Sequence, residues 1–330
     1  MAMNRQMLSA VLPFWFDRPA DEALEIARAA DERGYDELWI GELATFDAFA
    51  LAGAIARETR KLRLVVGPLA VGVRSPVGLA LGIHSVALLG GRAADIALGA
   101  STPVIVEGWH GRSWQPSVSR LRETLAALRP ILAGERSSFE GRHVRTSGFR
   151  LRDQMWPASV AVAAFAPAMV RAAAELADRV VLNLVTPQQV AAVRVAVDVA
   201  ARAVSRAAPP LTVWVPAAVD PGPATHHQLA GQLAAYVGAP GYGEMFSDAG
   251  FAEIVALARS GTVRRAELSE RIPLQMIQAV GAIGDQSTVE ARIAAFRSAG
   301  ADTVAVVPAS AEDPGGRRTL ASATLGDTPD

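Results

Sequence analysis

The stretch from Leu62 to Gly99, LRLVVGPLAVGVRSPVGLALGIHSVALLGGRAADIALG, carries the decisive pattern. It begins with an apolar run over Leu62–Val71 that does not alternate with polar residues, as expected of a strand covered on both faces. A helical pattern follows over Val77–Leu89 and stops at Gly90-Gly91. A second apolar run, Ala94–Gly99, then returns. Strand, helix and strand with both strands buried form a parallel unit, because antiparallel neighbours would leave one face polar.

The same alternation extends in both directions. Upstream stand an apolar run over Leu8–Phe14, a helix over Asp17–Arg33 stopped by Gly34, the strand Glu37–Gly41 and a helix over Phe46–Glu58. Downstream come a helix over Val118–Leu132, the strands Val160–Phe165 and Val180–Leu184 around a helix at Ala168–Ala177, and a helix over Val190–Val204. The strand Leu211–Val219, a helix over Val289–Ala299 and the strand Thr303–Val307 complete the series. Eight strands with intervening helices predict an α/β protein, a single (β/α)8 TIM barrel. A doubly wound sheet is the alternative, but the turn PFWFDRP after the first strand contains no glycine to cradle a phosphate.

The barrel is expected to span residues 1–310, with two insertions. One follows the fourth helix at about 133–159 and reads as a hairpin. The other, about 220–287, follows the seventh strand and contains helical pieces at Phe251–Ser260 and Ala266–Val280; its Tyr236, Tyr242, Met245, Phe246 and Met276 read equally as an apolar, partly aromatic pocket or as plain helix packing. Residues 311–330 read as a fraying tail with at most a short helix near Arg318–Thr324.

Composition excludes several functions. Lys and Arg total 32 and Asp and Glu 33, a formal net charge of −1, which argues against a nucleic-acid binder. There is no cysteine, so disulfides, thiolate nucleophiles and cysteine-ligated metals are ruled out. Lys61 is the only lysine and lies in a solvated run before the third strand, leaving one Schiff-base candidate. No uninterrupted apolar stretch reaches the roughly 18 residues of a membrane span, and no signal-peptide pattern opens the chain. These features read as a soluble, cytoplasmic protein with no membrane or nucleic-acid partner.

In a barrel the chemistry sits just beyond the C-terminal ends of the strands. That rule selects Glu42 and Asp47 after strand two, both candidates for acid–base work, although Asp47 also suits the start of the second helix. It selects Ser101 and Thr102 at the start of the strand-four loop, GASTPVIVEGWHGRSW. There Glu107 and His110 are candidate proton-handling groups, and Trp109 or Trp114 is placed to wall a planar ligand. Ala164–Pro167 and Asn183 follow the next two strands. His84 reads as a satisfied helix residue, and His226-His227 lacks a third ligand at metal spacing. No nucleophile elbow or P-loop occurs. Gly67, Pro68 and Gly72 within a buried strand imply a bulge or strained backbone beside a functional site.

Taken together and in order, several segments resemble the luciferase-like superfamily, in particular its coenzyme F420-dependent oxidoreductases of the methylenetetrahydromethanopterin reductase type. The segments are ELWIGE with DAFALAGAIA, GPLAVGVRSP, HSVALLGGRAADIALGAS with VEGWHG, LRETLAALRPILAGE with FEGR, VAVAAFAPAMVRAAAELADRVVLN, and GADTVAVVPAS. The resemblance implies hydride transfer between the deazaflavin coenzyme F420 and a small organic substrate, in a homodimer. An FMN-dependent monooxygenase on the same barrel, or a non-catalytic flavin or deazaflavin binder, is the alternative. It further implies a cofactor site at Leu69, Ala70 and Val71, Ser101 and Thr102, Ala164, Phe165, Ala166, Pro167 and Met169, and Asn183. A non-prolyl cis peptide is expected at Leu69-Ala70 or Ala70-Val71, and the cofactor phosphate near Phe165–Met169. Relatives that oxidise sugar phosphates carry Asp-His where this chain has Glu42-Leu43, so that activity is not expected.

Overall fold

Alternating strands and helices fill the computed structural model, which describes residues 6–42, 44–153 and 156–325; Leu43 of the Glu42-Leu43 pair lies outside them. The chain opens with β1 (Ser9–Val11), α1 (Glu22–Glu32), β2 (Glu37–Ile40), α2 (Ala48–Glu58), β3 (Arg63–Ala70), α3 (Pro76–Gly90) and β4 (Ala94–Gly99). A π-helical segment, Val104–Trp109, leads to α4 (Ser117–Leu132) and the hairpin β5 (Ser137–Glu140) and β6 (Arg145–Phe149). Then follow β7 (Val160–Ala163), α5 (Pro167–Leu176), β8 (Arg179–Asn183), α6 (Pro187–Ala203) and β9 (Leu211–Val219). The second insertion holds α7 (Pro223–Tyr236), α8 (Tyr242–Phe246), α9 (Ala252–Ser260), α10 (Arg265–Arg271), α11 (Leu274–Val280) and β10 (Ala282–Gly284). The last elements are α12 (Gln286–Ser298), β11 (Thr303–Pro308) and α13 (Arg317–Leu325).

The main sheet runs β10-β9-β11-β1-β2-β3-β4-β7-β8, and β8 pairs again with β9, so the order returns on itself. Without β10, eight strands with helices between them make the (β/α)8 barrel that the sequence predicts. The short β10 was not legible in the sequence; it pairs in parallel with the end of β9, Ala282 opposite Ala217. The expected helix over Ala266–Val280 is two helices. Pro273 has no N–H to continue α10 and holds the preceding Ile272 extended, so α11 starts afresh. Within the stretch 311–330, the short helix expected near Arg318–Thr324 is α13, and its Leu320 is fully buried, which fraying would not allow.

Contacts divide the chain into two compact units. One comprises Met1–Leu38, Leu182–Val195 and Leu211–Asp330; the other comprises Trp39–Val181 and Ala196–Pro210. In the first, Ala10, Leu12, Val213, Val215 and Ala305 are fully or almost fully buried; in the second, Leu64, Val66, Ile96, Leu98, Val160 and Val162 are. Removing these side chains from water is the main stabilising term of each unit.

Local signals set the unit that opened the sequence reading. Ser75 caps α3, its Oγ accepting the Gly78 N–H at 3.1 Å, with Pro76 in the first turn. Gly91 ends the helix in the left-handed conformation (φ 62°). Between β3 and β4 the register passes from Val66 opposite Ile96 to Leu69 opposite Leu98, so one extra residue bulges from β3. Gly67 (φ 124°) makes that bulge possible, since a Cβ there would overlap the Ala97 carbonyl oxygen. The cis peptide of this segment is Gly67-Pro68, which corrects the expectation of a non-prolyl one at Leu69-Ala70 or Ala70-Val71. The physical reason is the tertiary amide, which brings cis and trans close in energy only before proline.

Candidate active site

Within the unit that holds β3 and β4, the ends of β2, β3, β4 and β7 supply most of the candidate residues. Glu42 leaves β2 and Asp47 caps α2, its Oδ1 accepting the N–H groups of Phe49 (3.0 Å) and Ala50 (3.1 Å). Both carboxylates meet Arg74 from the loop after β3. Its Nη2 lies 2.5 Å from Glu42 Oε1 and 2.5 Å from Asp47 Oδ2, and its guanidinium sits over the Phe49 ring at 5.3 Å. Glu42 Oε1 also accepts the Ala48 N–H at 3.2 Å. Partial burial raises the Asp47 carboxyl, but the hydrogen bonds from Arg74 and the Ala50 N–H outweigh it and hold Asp47 below the ordinary carboxylate value. Burial likewise lowers Arg74, and its two carboxylate partners reverse the shift. Sequence reasoning missed Arg74. The signal available was an arginine directly ahead of a helix-starting Ser-Pro, one strand away from two acidic residues.

Leu69 and Val71 are buried, and the Val71 N–H donates to the Gly99 carbonyl at 2.9 Å, so the end of β3 is fixed against β4. Ser101, the second residue after β4, has φ 58°, a conformation that side chains other than glycine rarely adopt. Thr102 Oγ1 accepts the Ile105 N–H at 3.4 Å as the π-helical segment begins. π-Helical turns recur at functional sites. Here the turn exposes Val104 and Trp109, while Val106 points inward. Glu107 is exposed and its Oε1 accepts the Trp114 N–H at 3.1 Å; His110, also exposed, donates its backbone N–H to Ile105. These two candidates are therefore not gathered with Glu42 and Asp47 by any hydrogen bond. Trp114 is fixed by its indole N–H, which donates to Ala100 at 3.0 Å and Ser101 at 3.2 Å.

Ala164 and Met169 are buried, and Phe165 is half-buried. Ala166 precedes α5 and offers no side-chain cap, Pro167 occupies its first turn, and Ala166, Pro167 and Ala168 are exposed. An uncapped, accessible helix start with a favourable dipole suits an anionic group. The residues thus fit a ligand with an anionic end. They also fit a planar body, since Ala70, Gly99, Ala100 and Ala163 keep the strand ends free of large side chains.

The other unit places Asn183 at the end of β8, where its Nδ2 donates to the Tyr242 hydroxyl at 3.2 Å. Tyr236 packs against Tyr242 with ring centroids 4.9 Å apart, and burial pushes both phenols above their ordinary value. Both therefore stay protonated at neutral pH. Gln189 Nε2 donates to the Met245 carbonyl at 2.7 Å. Phe246 and Met276, which read equally as pocket lining or helix packing, are buried core residues. Elsewhere, His84 is buried in α3 with Nδ1 unpartnered, not satisfied as expected. Among the described residues no cluster of three or more His, Cys, Asp or Glu is arranged to hold a metal, and no helix is long and apolar enough to cross a membrane.

The sequence profile of the luciferase-like monooxygenase family matches residues 4–303. The chain belongs to this family. Among relatives of this luciferase-like protein, one from Mycobacterium tuberculosis named as a coenzyme F420-dependent oxidoreductase is 24% identical over 92% of this chain and 96% of its own. Among solved structures, the coenzyme F420-dependent tetrahydromethanopterin reductase from Methanopyrus kandleri superposes with a TM-score of 0.80 at 18% identity, covering 96% of this chain and 97% of that one. The oxygenating constituent of 3,6-diketocamphane monooxygenase from Pseudomonas putida, in complex with FMN, superposes with a TM-score of 0.69 at 18% identity over 99% of both chains. At these identities the structural matches speak to the fold, and the fold is the luciferase-like barrel.

Proposed function

We propose that this protein is a coenzyme F420-dependent oxidoreductase that transfers a hydride between the deazaflavin and a small organic substrate. The observation that carries this reading is the end-to-end relationship with the Mycobacterium tuberculosis relative named for that coenzyme. The uncapped start of α5 and the small residues at the ends of β3, β4 and β7 support it, because they suit a planar ligand with an anionic end.

When bound, the deazaflavin supplies the hydride chemistry, and the protein supplies binding, orientation and electrostatics. Leu69, Ala70 and Val71, with Ser101 and Thr102, would hold the ring. Ala164, Phe165, Ala166, Pro167 and Met169 would receive the anionic end at α5; Asn183, in the other unit, is a separate candidate for binding a ligand. Of the acidic candidates, Asp47 has both carboxylate oxygens engaged, whereas among the described residues Glu42 is engaged through Oε1 only. Glu42 Oε2 is therefore the oxygen assigned to hold or take a proton. Exposed Leu81, Leu88 and Leu89 on α3 support a homodimer.

The runner-up is an FMN-dependent monooxygenase, favoured by the match to the Pseudomonas putida FMN complex. Calorimetric titration of the purified protein with oxidised coenzyme F420 and with FMN separates the two. Tighter binding of the deazaflavin is expected; equal or tighter binding of FMN would overturn the proposal in favour of the runner-up.

A further inference from the structure

From the shared ion pair after β2 and β3, we infer that Arg74 is a positioning residue that holds Glu42 and Asp47 as a doubly ionised pair, so that Glu42 acts in this site as a proton acceptor and Asp47 takes no part in proton transfer. The inference rests on the hydride-transfer reading above. Three observations carry it. One guanidinium nitrogen contacts both carboxylates, each at 2.5 Å, which brings two like charges together around a single cation. Asp47 is saturated, its Oδ1 by the first N–H groups of α2 and its Oδ2 by Arg74. Among the described residues Glu42 is anchored through Oε1, by Arg74 and the Ala48 N–H, and it is partly exposed, so Oε2 is placed to meet a ligand.

The arginine is itself held in place. Its guanidinium lies over Phe49, and that ring packs where a side chain on Gly82 would stand, 2.5 Å away. Its Nε is buried and makes no hydrogen bond among the described residues, and the hydrogen bonds to the two acids both run through Nη2. Remove the cation and two neighbouring carboxylates remain, a combination in which one must retain a proton to a higher pH.

The test follows the side-chain carboxyl signals of Glu42 and Asp47 by carbon-13 NMR in the cofactor-free protein, in wild type, Arg74→Gln, Arg74→Lys and Arg74→Gln/Asp47→Asn. In wild type the Asp47 carboxyl should titrate below its ordinary value, held there by Arg74 and the N–H groups of α2. In Arg74→Gln one of the pair should titrate at least tenfold higher in proton affinity. Asp47→Asn in the same background should abolish that rise, and Arg74→Lys should show a smaller one. If Arg74→Gln fails to fold, the lysine variant still decides: its point charge serves the two acids less well than the guanidinium, so a smaller rise is expected. An Arg74→Gln protein whose carboxyls titrate as in wild type, a rise that persists with Asp47→Asn, or a folded lysine variant with no rise where glutamine cannot be read would overturn the assignment. Because no cofactor is present, this outcome is independent of whether the deazaflavin or FMN binds. In the loaded enzyme, Arg74→Gln should introduce an acid limb into the pH profile of hydride transfer at the midpoint found by NMR.

Discussion

The indole N–H of Trp114 donates to the main-chain carbonyl of Ala100 at 3.0 Å and folds the strand-four loop back onto the strand it leaves. Glu107 completes that closure by accepting the Trp114 backbone N–H, and Arg120 holds the same loop through the Ser113 carbonyl. A carboxylate used in this way is replaceable by an amide, which still offers an oxygen. Glu107→Gln is therefore expected to keep the melting temperature of wild type, and Glu107→Ala to lose about 0.5–1.5 kcal/mol in urea unfolding. A Glu107→Gln protein of unchanged stability that transfers hydride roughly 100-fold more slowly would instead place this residue in proton transfer.

Gly67 is the position in β3 where a side chain is least tolerable. Its φ of 124° is open to glycine alone among common residues, and a Cβ would collide with the Ala97 carbonyl oxygen. The obstruction is main chain in the adjacent strand, so no rotamer change relieves it. Gly67→Ala is expected to cost about 3 kcal/mol or more, or to abolish soluble expression. Gly34 gives the contrast. It too has a positive φ (75°), but nothing stands within 4 Å of the place a Cβ would take, so Gly34→Ala should cost about 1 kcal/mol. Equal losses at the two positions in chemical denaturation would show that the bulge relaxes.

How much of this was legible in the sequence differs from element to element. β4, β9 and the helices α3 and α4 could be placed within a residue or so, because buried parallel strands read as unbroken apolar runs and Gly90-Gly91 and the Ser-Pro start punctuate α3. β10 escaped because three residues, Ala282–Gly284, carry no periodicity. The bulge in β3 was legible from Gly67-Pro68, whereas which peptide bond is cis was not, since the resemblance suggested another bond. At the site, Glu42 and Asp47 were found from their place after a strand. Arg74 was missed because 32 residues separate it from Glu42, and ion pairing between successive barrel loops leaves no local pattern. Phe246 and Met276 could not be decided from the sequence: aromatic and thioether side chains read equally well as pocket or core, and burial decided for core.

Glu22 ties the C-terminal segment to α1. Its carboxylate accepts the Ser310 hydroxyl at 2.8 Å, the Gly315 N–H at 3.1 Å and the Arg18 guanidinium at 2.7 Å. Burial works to raise this carboxyl, and the hydrogen bonds from Arg18, Gly315 and Ser310 bring it below the ordinary value. Truncation to alanine leaves buried donors at Ser310 and Gly315 without an acceptor, at a cost of roughly 1–3 kcal/mol. Glu22→Ala should therefore become sensitive to limited proteolysis between Ala309 and Arg318 before the rest of the chain is cut. Cleavage elsewhere first would show that α13 stays docked through Leu320 and the Tyr35 hydroxyl, which donates to the Leu320 carbonyl at 3.0 Å.

Asp47 should leave a signature in the acid limb of the stability curve. Its carboxyl lies below the ordinary value of 3.8: burial opposes this, but Arg74 and the N–H groups of Ala50 and Phe49 prevail. At acid pH the unfolded chain consequently binds a proton at this residue before the folded one does, so the contribution of Asp47 is complete above about pH 4 and is lost as pH falls through its folded value. Asparagine can still cap α2 but cannot ionise, and alanine can do neither. At pH 7, Asp47→Ala is expected to cost about 1 kcal/mol, the usual worth of an N-cap. Asp47→Asn should cost less, because the side chain is about half exposed (48%) and its ion pair with Arg74 is screened. Urea unfolding at steps from pH 7 to pH 3 should show the gap between wild type and Asp47→Asn narrowing below about pH 4, where protonation removes the charge that only wild type carries. A gap that widens on acidification would reverse the sign of the linkage and rule out a depressed carboxyl at Asp47.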